Sequence, residues 1–519
     1  MFFKKIITKF NLFFLLIILS ALFLYFYHLS SNPPGFYSDE AVVAYNAYSI
    51  LKTGRDEYGQ LFPILFRFFG SYTPGLFVYF LVPFIKIFGL SVLTVRGVNA
   101  FLMILTGIIL YLFLRKLLPQ QNKYYLLLSL FCYYLTPWTI FNARLGYEVT
   151  FAYFLFCLAA YLLSQKKLSW AFTILSLSTY AAHPYRYLSP LIILIYFFTF
   201  RFKLKDFIRY LIPAFFIQIP HFIMIFTPAF WVKSSYLTVS FIHQYLTFFS
   251  PSNIFSQEDI DPQRSIPQIA IFYFWQFFPL IFGTIKIIKN RHLYIYQLII
   301  LLLLLSPLPA AFANANYATQ RALAMLFPYS IIMSLGIIEL LHYRRIKYLF
   351  LVIIPFSVLL LWRSYFVFLP KDRMFQWYSG LKEISAFVEQ HPSWHFIIDD
   401  SYHIPHIEYL FFTKYSPQKY QQEKGILKNY YSDTLFVNSG IFSNLEIKRI
   451  DKLNDIKKKQ VLIYSSFRTF TSAQVAADCL DKIFEFDDYK GNALFQGFMT
   501  NPELIKNNCK SESGSKMLK

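Results

Sequence analysis

Long runs of apolar residues, punctuated by short clusters of basic ones, dominate the first 369 positions. A run of about 17–25 predominantly apolar residues is what a helix needs to cross the hydrocarbon core of a bilayer. On that criterion spans are predicted near 10–28, 92–114, 124–138, 147–164, 169–182, 187–200, 208–231, 268–288, 293–308, 321–341 and 347–369. The first leads into Asn32-Pro33-Pro34 with no small-residue cleavage site, so it reads as a retained helix and not a signal peptide. The segment 76–90 is apolar too, but Pro83, Lys86 and Gly89 interrupt it and leave it ambiguous; the placement of the basic clusters decides for an amphipathic or re-entrant helix at the outer interface.

After residue 369 the pattern changes to that of an ordinary water-soluble domain. HFIID (395–399) and QVLIYSS (460–466) read as strands, and stretches near 375–390, 404–414 and 472–483 as helices. The expected organisation is a membrane module over 1–369 with an outer catalytic loop over 29–91. A small α/β domain follows over 370–505, and a disordered tail over 506–519. The fold class is thus a polytopic all-α membrane protein of eleven transmembrane helices, carrying outer-loop amphipathic helices and a C-terminal α/β domain.

Composition agrees. The chain is 56% apolar and 21% aromatic, which excludes a disordered or fibrous protein and argues against a soluble globule. The net charge of +21 raises the question of a nucleic-acid partner. Its distribution answers no: residues 1–369 hold 29 basic and 10 acidic residues, against 20 and 18 in the remainder. Eighteen of those 29 cations fall in six clusters, from Lys4-Lys5-Lys9 to Arg344-Arg345-Lys347. They share one side if 76–90 does not cross, which by the positive-inside rule places the N-terminus in the cytoplasm and the C-terminal domain outside a plasma membrane.

That topology sends eight of the ten acids outward: Asp39, Glu40, Asp56, Glu57, Glu148, Glu258, Asp259 and Asp261. Arg144, His183, Arg186, Arg264 and Arg321 lie on the same side. Scarce charges gathered on one face of a greasy protein mark the face where it works. The loop 33–75 holds two Asp-Glu pairs, Asp39-Glu40 and Asp56-Glu57, the first just ahead of the helix-like run AVVAYNAYSILK. As plain structure, Asp39 is an N-cap and Glu40 a helix-dipole partner. As chemistry, such a carboxylate takes a proton from a hydroxyl or holds a divalent cation against a phosphate. Arg144 and Glu148 are spaced to pair along a helix, Arg186 to anchor at the interface, and the loop holding Glu258, Asp259, Asp261 and Arg264 reads as solvated or as a lid. Cys132 and Cys157 fall within spans. Cys479 and Cys509 fall in the exported part, where a disulfide is permitted.

The segment 36–96 (FYSDEA…SILKTGRDEYG…FGSYTPGLFVYFLVPFIKIFGLSVLTVR) resembles the GT-C superfamily of integral-membrane glycosyltransferases, in the branch of protein O-mannosyltransferases and lipid A aminoarabinose transferases (bacterial family-39-like). TPWTIFNARLGYEVTF (136–151), STYAAHPYRYLSPL (178–191), SPLPAAFANANYATQRALAMLFPYSI (306–331) and SYFVFLPKDRMFQWYSGLKE (364–383) resemble later stretches of that branch in the same order. The resemblance implies transfer of a sugar from a polyprenyl-phosphate donor to a hydroxyl of a protein, lipid or glycan, with inversion, outside the cytoplasm. It implies Asp39 as base, Glu40 assisting, and Asp56, Glu57 and Glu148 near acceptor or metal. A divalent cation is a candidate cofactor, with Asp39 and Glu57 as its candidate ligands. Arg144, His183, Arg186 and Arg321 are the donor-phosphate candidates, since guanidinium forks match phosphate oxygens. Pro74-Gly75-Leu76 departs from the two prolines common in relatives. The competing readings are a polysaccharide polymerase or ligase using a pyrophosphate-linked donor, and a glycolipid transporter. Membrane lipid is a partner in all three.

Overall fold

The computed structural model describes residues 9–232, 240–313, 317–343, 345–400, 405–424, 429–432, 440–442, 444–465 and 480–502. Cys479 and Cys509, the tail 506–519 and the part 472–479 of the helix predicted over 472–483 lie outside the described residues.

Each predicted span contains helix, although the one over 268–288 is helical only from Phe274 on. The first ten helices are α1 (Lys9–Phe26), α2 (Ser38–Thr53), α3 (Leu76–Phe88), α4 (Val92–Leu117), α5 (Lys123–Leu135), α6 (Pro137–Ala143), α7 (Glu148–Ser164), α8 (Leu168–Ser178), α9 (His183–Phe200) and α10 (Leu204–Met224). Ends follow local chemistry. Ser91 caps α4 by accepting the Thr94 N–H at 3.1 Å, and Asn122 caps α5 through Tyr124. Pro137 has no N–H to continue α5, and α6 leaves at 61°.

The expected eleven crossings are more than helix length and apolarity by themselves supply. Among the described residues six helices are long and apolar enough to span: Lys9–Phe26, Val92–Leu117, Leu204–Met224, Tyr294–Phe312, Leu323–Leu341 and Ile346–Asp372. The bent pair α5–α6 makes a seventh if counted as one. α7 has 17 residues, at the lower limit of a span, and α8 has only 11. At 1.5 Å rise, 11 residues reach about half the hydrocarbon thickness. The chain is nonetheless a multi-pass membrane protein.

At the centre, Leu323–Leu341 packs against the helix Phe277–Lys289 with backbones almost touching. A Cβ added to Gly336 would lie 1.8 Å from the Pro279 carbonyl oxygen, and one on Gly283 1.8 Å from that of Ile332. Small residues at such a crossing let helices approach where no hydrophobic effect drives them together.

Two sheets complete the molecule. In the loop before α3, β1 (Leu65–Phe68) and β2 (Ser71–Pro74) form a hairpin. Its two turn residues both have positive φ, Phe69 at 50° and Gly70 at 76°. That pattern suits a tight hairpin, but a phenylalanine in it costs about 1–2 kcal/mol. The C-terminal domain holds β3 (Phe396–Asp399), β4 (Gly440–Phe442), β5 (Leu445–Lys448), β6 (Val461–Ser465), β7 (Leu480–Asp487) and β8 (Ala493–Thr500), in the order β4-β5-β3-β6-β8-β7. β3 runs parallel to β5 and β6, and the other pairings are antiparallel. The predicted strands are β3 and β6, and two predicted helices are Leu381–Gln390 and His406–Phe412. Residues 480–483, expected as the end of a helix, begin β7 instead, because β8 supplies an antiparallel partner that local pattern does not reveal.

Candidate active site

Three helices present their N-terminal ends to one cleft of about 710 Å³. α2 contributes Asp39 in its first turn, α7 begins with Glu148 and Val149, and α9 begins with His183 and Pro184, all lining the cleft. Unpaired N–H groups and the helix dipole make such ends favourable to anions. Arg264 and Arg321 line the same cleft, with Tyr37, Tyr147 and Tyr187 among its walls. Asp39 and Glu148 also line a second, smaller cavity of about 230 Å³, together with Phe68, Phe69, Ser71 and Thr73. Two carboxylates therefore stand between two cavities.

Asp39 is solvent-exposed although both its neighbours are buried. The helix cap is not Asp39 but Tyr37, with extended backbone. Tyr37 stacks on Tyr378 with ring centroids 5.3 Å apart. Burial first, and then the nearby Asp39 charge, push its hydroxyl well above the usual tyrosine range, so it stays a hydrogen-bond donor.

Glu40, expected beside Asp39 at the reaction, faces the other way. It is fully buried in an ion pair with Arg96, which donates from Nε at 2.9 Å and Nη2 at 2.8 Å. It also accepts the Gly146 N–H at 2.6 Å. The reason is helical geometry: successive residues point about 100° apart, so both cannot face one cleft.

Arg144 is also elsewhere. Its guanidinium donates to the carbonyls of Leu24, Tyr25, Tyr27 and Asn32 at 2.7–3.1 Å, closing the C-terminal end of α1 and the turn after it. Those carbonyls lack helical partners, and a cation is favoured there. This replaces both the donor-phosphate role and the Glu148 pairing. Arg186 does not line the cleft either. It is buried, donates to the Phe230 carbonyl at 3.0 Å and sits 4.5 Å over the Phe230 ring. His183 and Arg321 do line it, with His183 Nε2 2.7 Å from the Tyr72 carbonyl.

Asp56 and Glu57 line neither cavity and build the base of the loop. Asp56 accepts N–H bonds from Tyr58 at 3.0 Å and Gln60 at 2.8 Å, and a hydroxyl bond from Tyr430. Glu57 accepts from Asn46 at 3.0 Å and lies 3.9 Å from His406. Glu57 and Asp39 therefore do not meet as the metal pair expected, and among the described residues no three His, Cys, Asp or Glu side chains are grouped to hold a metal ion.

Burial raises Glu57 from 4.5 to about 8, opposed by the Asn46 hydrogen bond and reinforced by Asp56. Its folded value lies above its unfolded one, so its contribution to stability is complete below about 4.5 and is lost as pH climbs through 8. The unfolding midpoint in detergent is expected to fall between pH 5 and 9, and Glu57→Gln to flatten that slope; a parallel slope in the variant refutes the assignment.

Arg264 lies in the acid-rich loop that reads as solvated. The structure makes that loop a wall. Asp259 accepts N–H bonds from Asp261 and Thr319 and the Thr319 hydroxyl bond, and Arg264 is held 3.1 Å from Asp261 and 3.5 Å from Asp259. The legible signal is Arg264 three residues after Asp261. Gly75 also has a packing reason: a Cβ there would come 2.5 Å from the Phe66 ring.

A bundle of apolar helices, with carboxylates and cations gathered in a cleft at helix N-termini, defines a multi-pass membrane protein with a polar cleft. No family model and no curated protein matches the chain. Among solved structures it is similar to ArnT from Cupriavidus metallidurans in the apo state. Identity is 11% and the TM-score 0.53, over 94% of this chain and 98% of that one. The crystal structure of the same protein bound to undecaprenyl phosphate gives 10% identity and a TM-score of 0.53, over 93% and 97%. The expected fold is thus borne out, since the likeness to the ArnT structure runs nearly end to end.

Proposed function

We propose that this chain is a membrane glycosyltransferase that moves a sugar from a polyprenyl-phosphate donor to a hydroxyl acceptor on the extracytoplasmic face, with inversion. The observation that carries this is the placement of Asp39, exposed to two cavities at once. The larger cleft has the cations and helix N-termini that a phosphate requires, and it takes the donor. The smaller cavity, walled by Phe68, Phe69, Ser71 and Thr73, takes the acceptor. Likeness in fold to a protein whose crystal structure holds undecaprenyl phosphate supports the donor class.

In the reaction Asp39 accepts the acceptor's hydroxyl proton, and the freed oxygen attacks the anomeric carbon from the face opposite the phosphate. The carbon–oxygen bond to phosphate breaks, and polyprenyl phosphate leaves with the electron pair. Arg264, Arg321 and His183 stabilise the charge gathering on that phosphate, the kind of preorganised electrostatic contribution that usually dominates. Asp259 and Asp261 hold Arg264 in place, so it is oriented before substrate arrives.

The test uses purified protein in detergent with tritiated undecaprenyl-phosphate mannose, glucose and galactose, and an envelope extract of a strain lacking the chain as acceptor. Transfer from at least one donor is expected, and none from the matching nucleotide sugars. Arg321→Ala is expected to lower turnover about 10²-fold and to weaken dependence on donor more than on acceptor. Equal effects on both would make Arg321 a structural residue.

A further inference from the structure

The hairpin β1–β2 walls the smaller cavity, yet much of what holds it comes from more than 300 residues away. The Tyr430 hydroxyl accepts the Arg67 main-chain N–H at 2.8 Å and donates to Asp56. The Tyr430 carbonyl accepts the Tyr72 hydroxyl, and the Tyr431 hydroxyl accepts the Ile64 N–H at 3.1 Å. His406 packs edge-on against Phe69, with ring centroids 5.9 Å apart. Tyr430 and Tyr72 are both buried. One hydroxyl thus joins the strand that ends in Phe68 to the turn built on Asp56, while His406 backs the positive-φ Phe69. A residue that pays a conformational cost and lines a cavity is held by its surroundings, and such strain concentrates at working sites.

We propose that Tyr430 is a positioning residue through which the C-terminal domain sets the hairpin wall of the acceptor cavity. This rests on the reading that the smaller cavity takes the acceptor. Tyr430 touches no substrate and acts through Arg67 and Asp56. Phe68, Phe69, Ser71 and Thr73 follow the hairpin, and misplacing such groups by about 1 Å has large effects on a reaction that depends on alignment. On the donor side Arg264 is held by Asp259 and Asp261, and Asp259 by Thr319, all away from the hairpin, so the donor cleft meets the hairpin only where His183 Nε2 reaches the Tyr72 carbonyl, a contact that the Tyr430 hydroxyl does not make.

Tyr430→Phe removes the hydroxyl and keeps the ring against Tyr72. With the donors and envelope extract above, it is expected to raise the extract concentration at half-maximal rate about tenfold and to leave donor half-saturation within about twofold. Hydrogen exchange in 65–74 is expected to quicken in the full-length protein, with the helix bundle unchanged. Asp56→Ala should reproduce the defect, whereas Asp56→Asn, which still offers the hydroxyl a carbonyl oxygen, should largely escape it. Unchanged extract dependence, or equal loss of donor and extract dependence, overturns the assignment. If the unaltered protein transfers from none of the donors, the glycosyltransfer reading fails on its own. Exchange then decides: faster exchange confined to 65–74 supports positioning, and unchanged protection refutes it.

Discussion

Asp39→Asn is expected to abolish sugar transfer, by about 10³-fold or more, while the protein still inserts, purifies and unfolds at nearly the same temperature. The first half follows from the base. An amide of the same shape cannot take the acceptor's proton, and losing a positioned general base costs about 10²–10⁴-fold. The second half follows from exposure: a side chain open to two cavities supports little of the fold. Losing a charge in the first turn of α2 removes at most about 1 kcal/mol of dipole interaction. Glu148→Gln is the necessary companion, because Glu148 lines both cavities as well. Transfer that survives in Asp39→Asn and dies in Glu148→Gln would move the base to α7. Survival in both would remove the carboxylate mechanism altogether.

How much of this was legible depended on whether one element or several had to be read. The apolar windows are properties of single segments, and each contains helix, although among the described residues only six or seven are long and apolar enough to span by themselves. The site required partners. Asp39 and Glu40 look equivalent as neighbours in sequence, and only the position of Arg96, 56 residues on, decides that one enters the core and the other the cleft. Arg144 and Glu148 satisfy the spacing of a helical pair, but the α1 carbonyls compete for that guanidinium with several bonds at once. Asp56 and Glu57 carry the composition of a second catalytic pair and serve as anchors for the loop. Arg264 was hidden because charged residues in a short loop suggest solvent, and Thr319, which seals Asp259, is 60 residues away. With 62 phenylalanines and 40 tyrosines, nothing in the sequence alone distinguishes Phe69 or Tyr430.

Glu40→Ala is expected to fail at the opposite step, losing folded protein and not chemistry. The variant leaves the Arg96 guanidinium buried with its charge uncompensated, a change that costs about 3–5 kcal/mol, a large part of a protein's net stability. It also deprives the Gly146 N–H of its acceptor, next to the start of α7 that carries Glu148. Glu40→Gln keeps an oxygen for Arg96 and should lie between the two. Replacing both partners by methionine should recover part of the loss, since no charge is then stranded. Recovery cannot be complete: Arg96 also donates to the carbonyls of Leu29, Pro33 and Gly35, at 3.3, 3.0 and 2.6 Å, and methionine donates to none. The measurement is the unfolding midpoint and monodisperse yield in detergent, with transfer normalised to folded protein. Folded Glu40→Gln should retain transfer while folded Asp39→Asn has none. If instead Glu40→Gln folds as well as the unaltered protein and loses transfer, then Glu40 acts at the reacting centre and the division of labour along α2 is wrong.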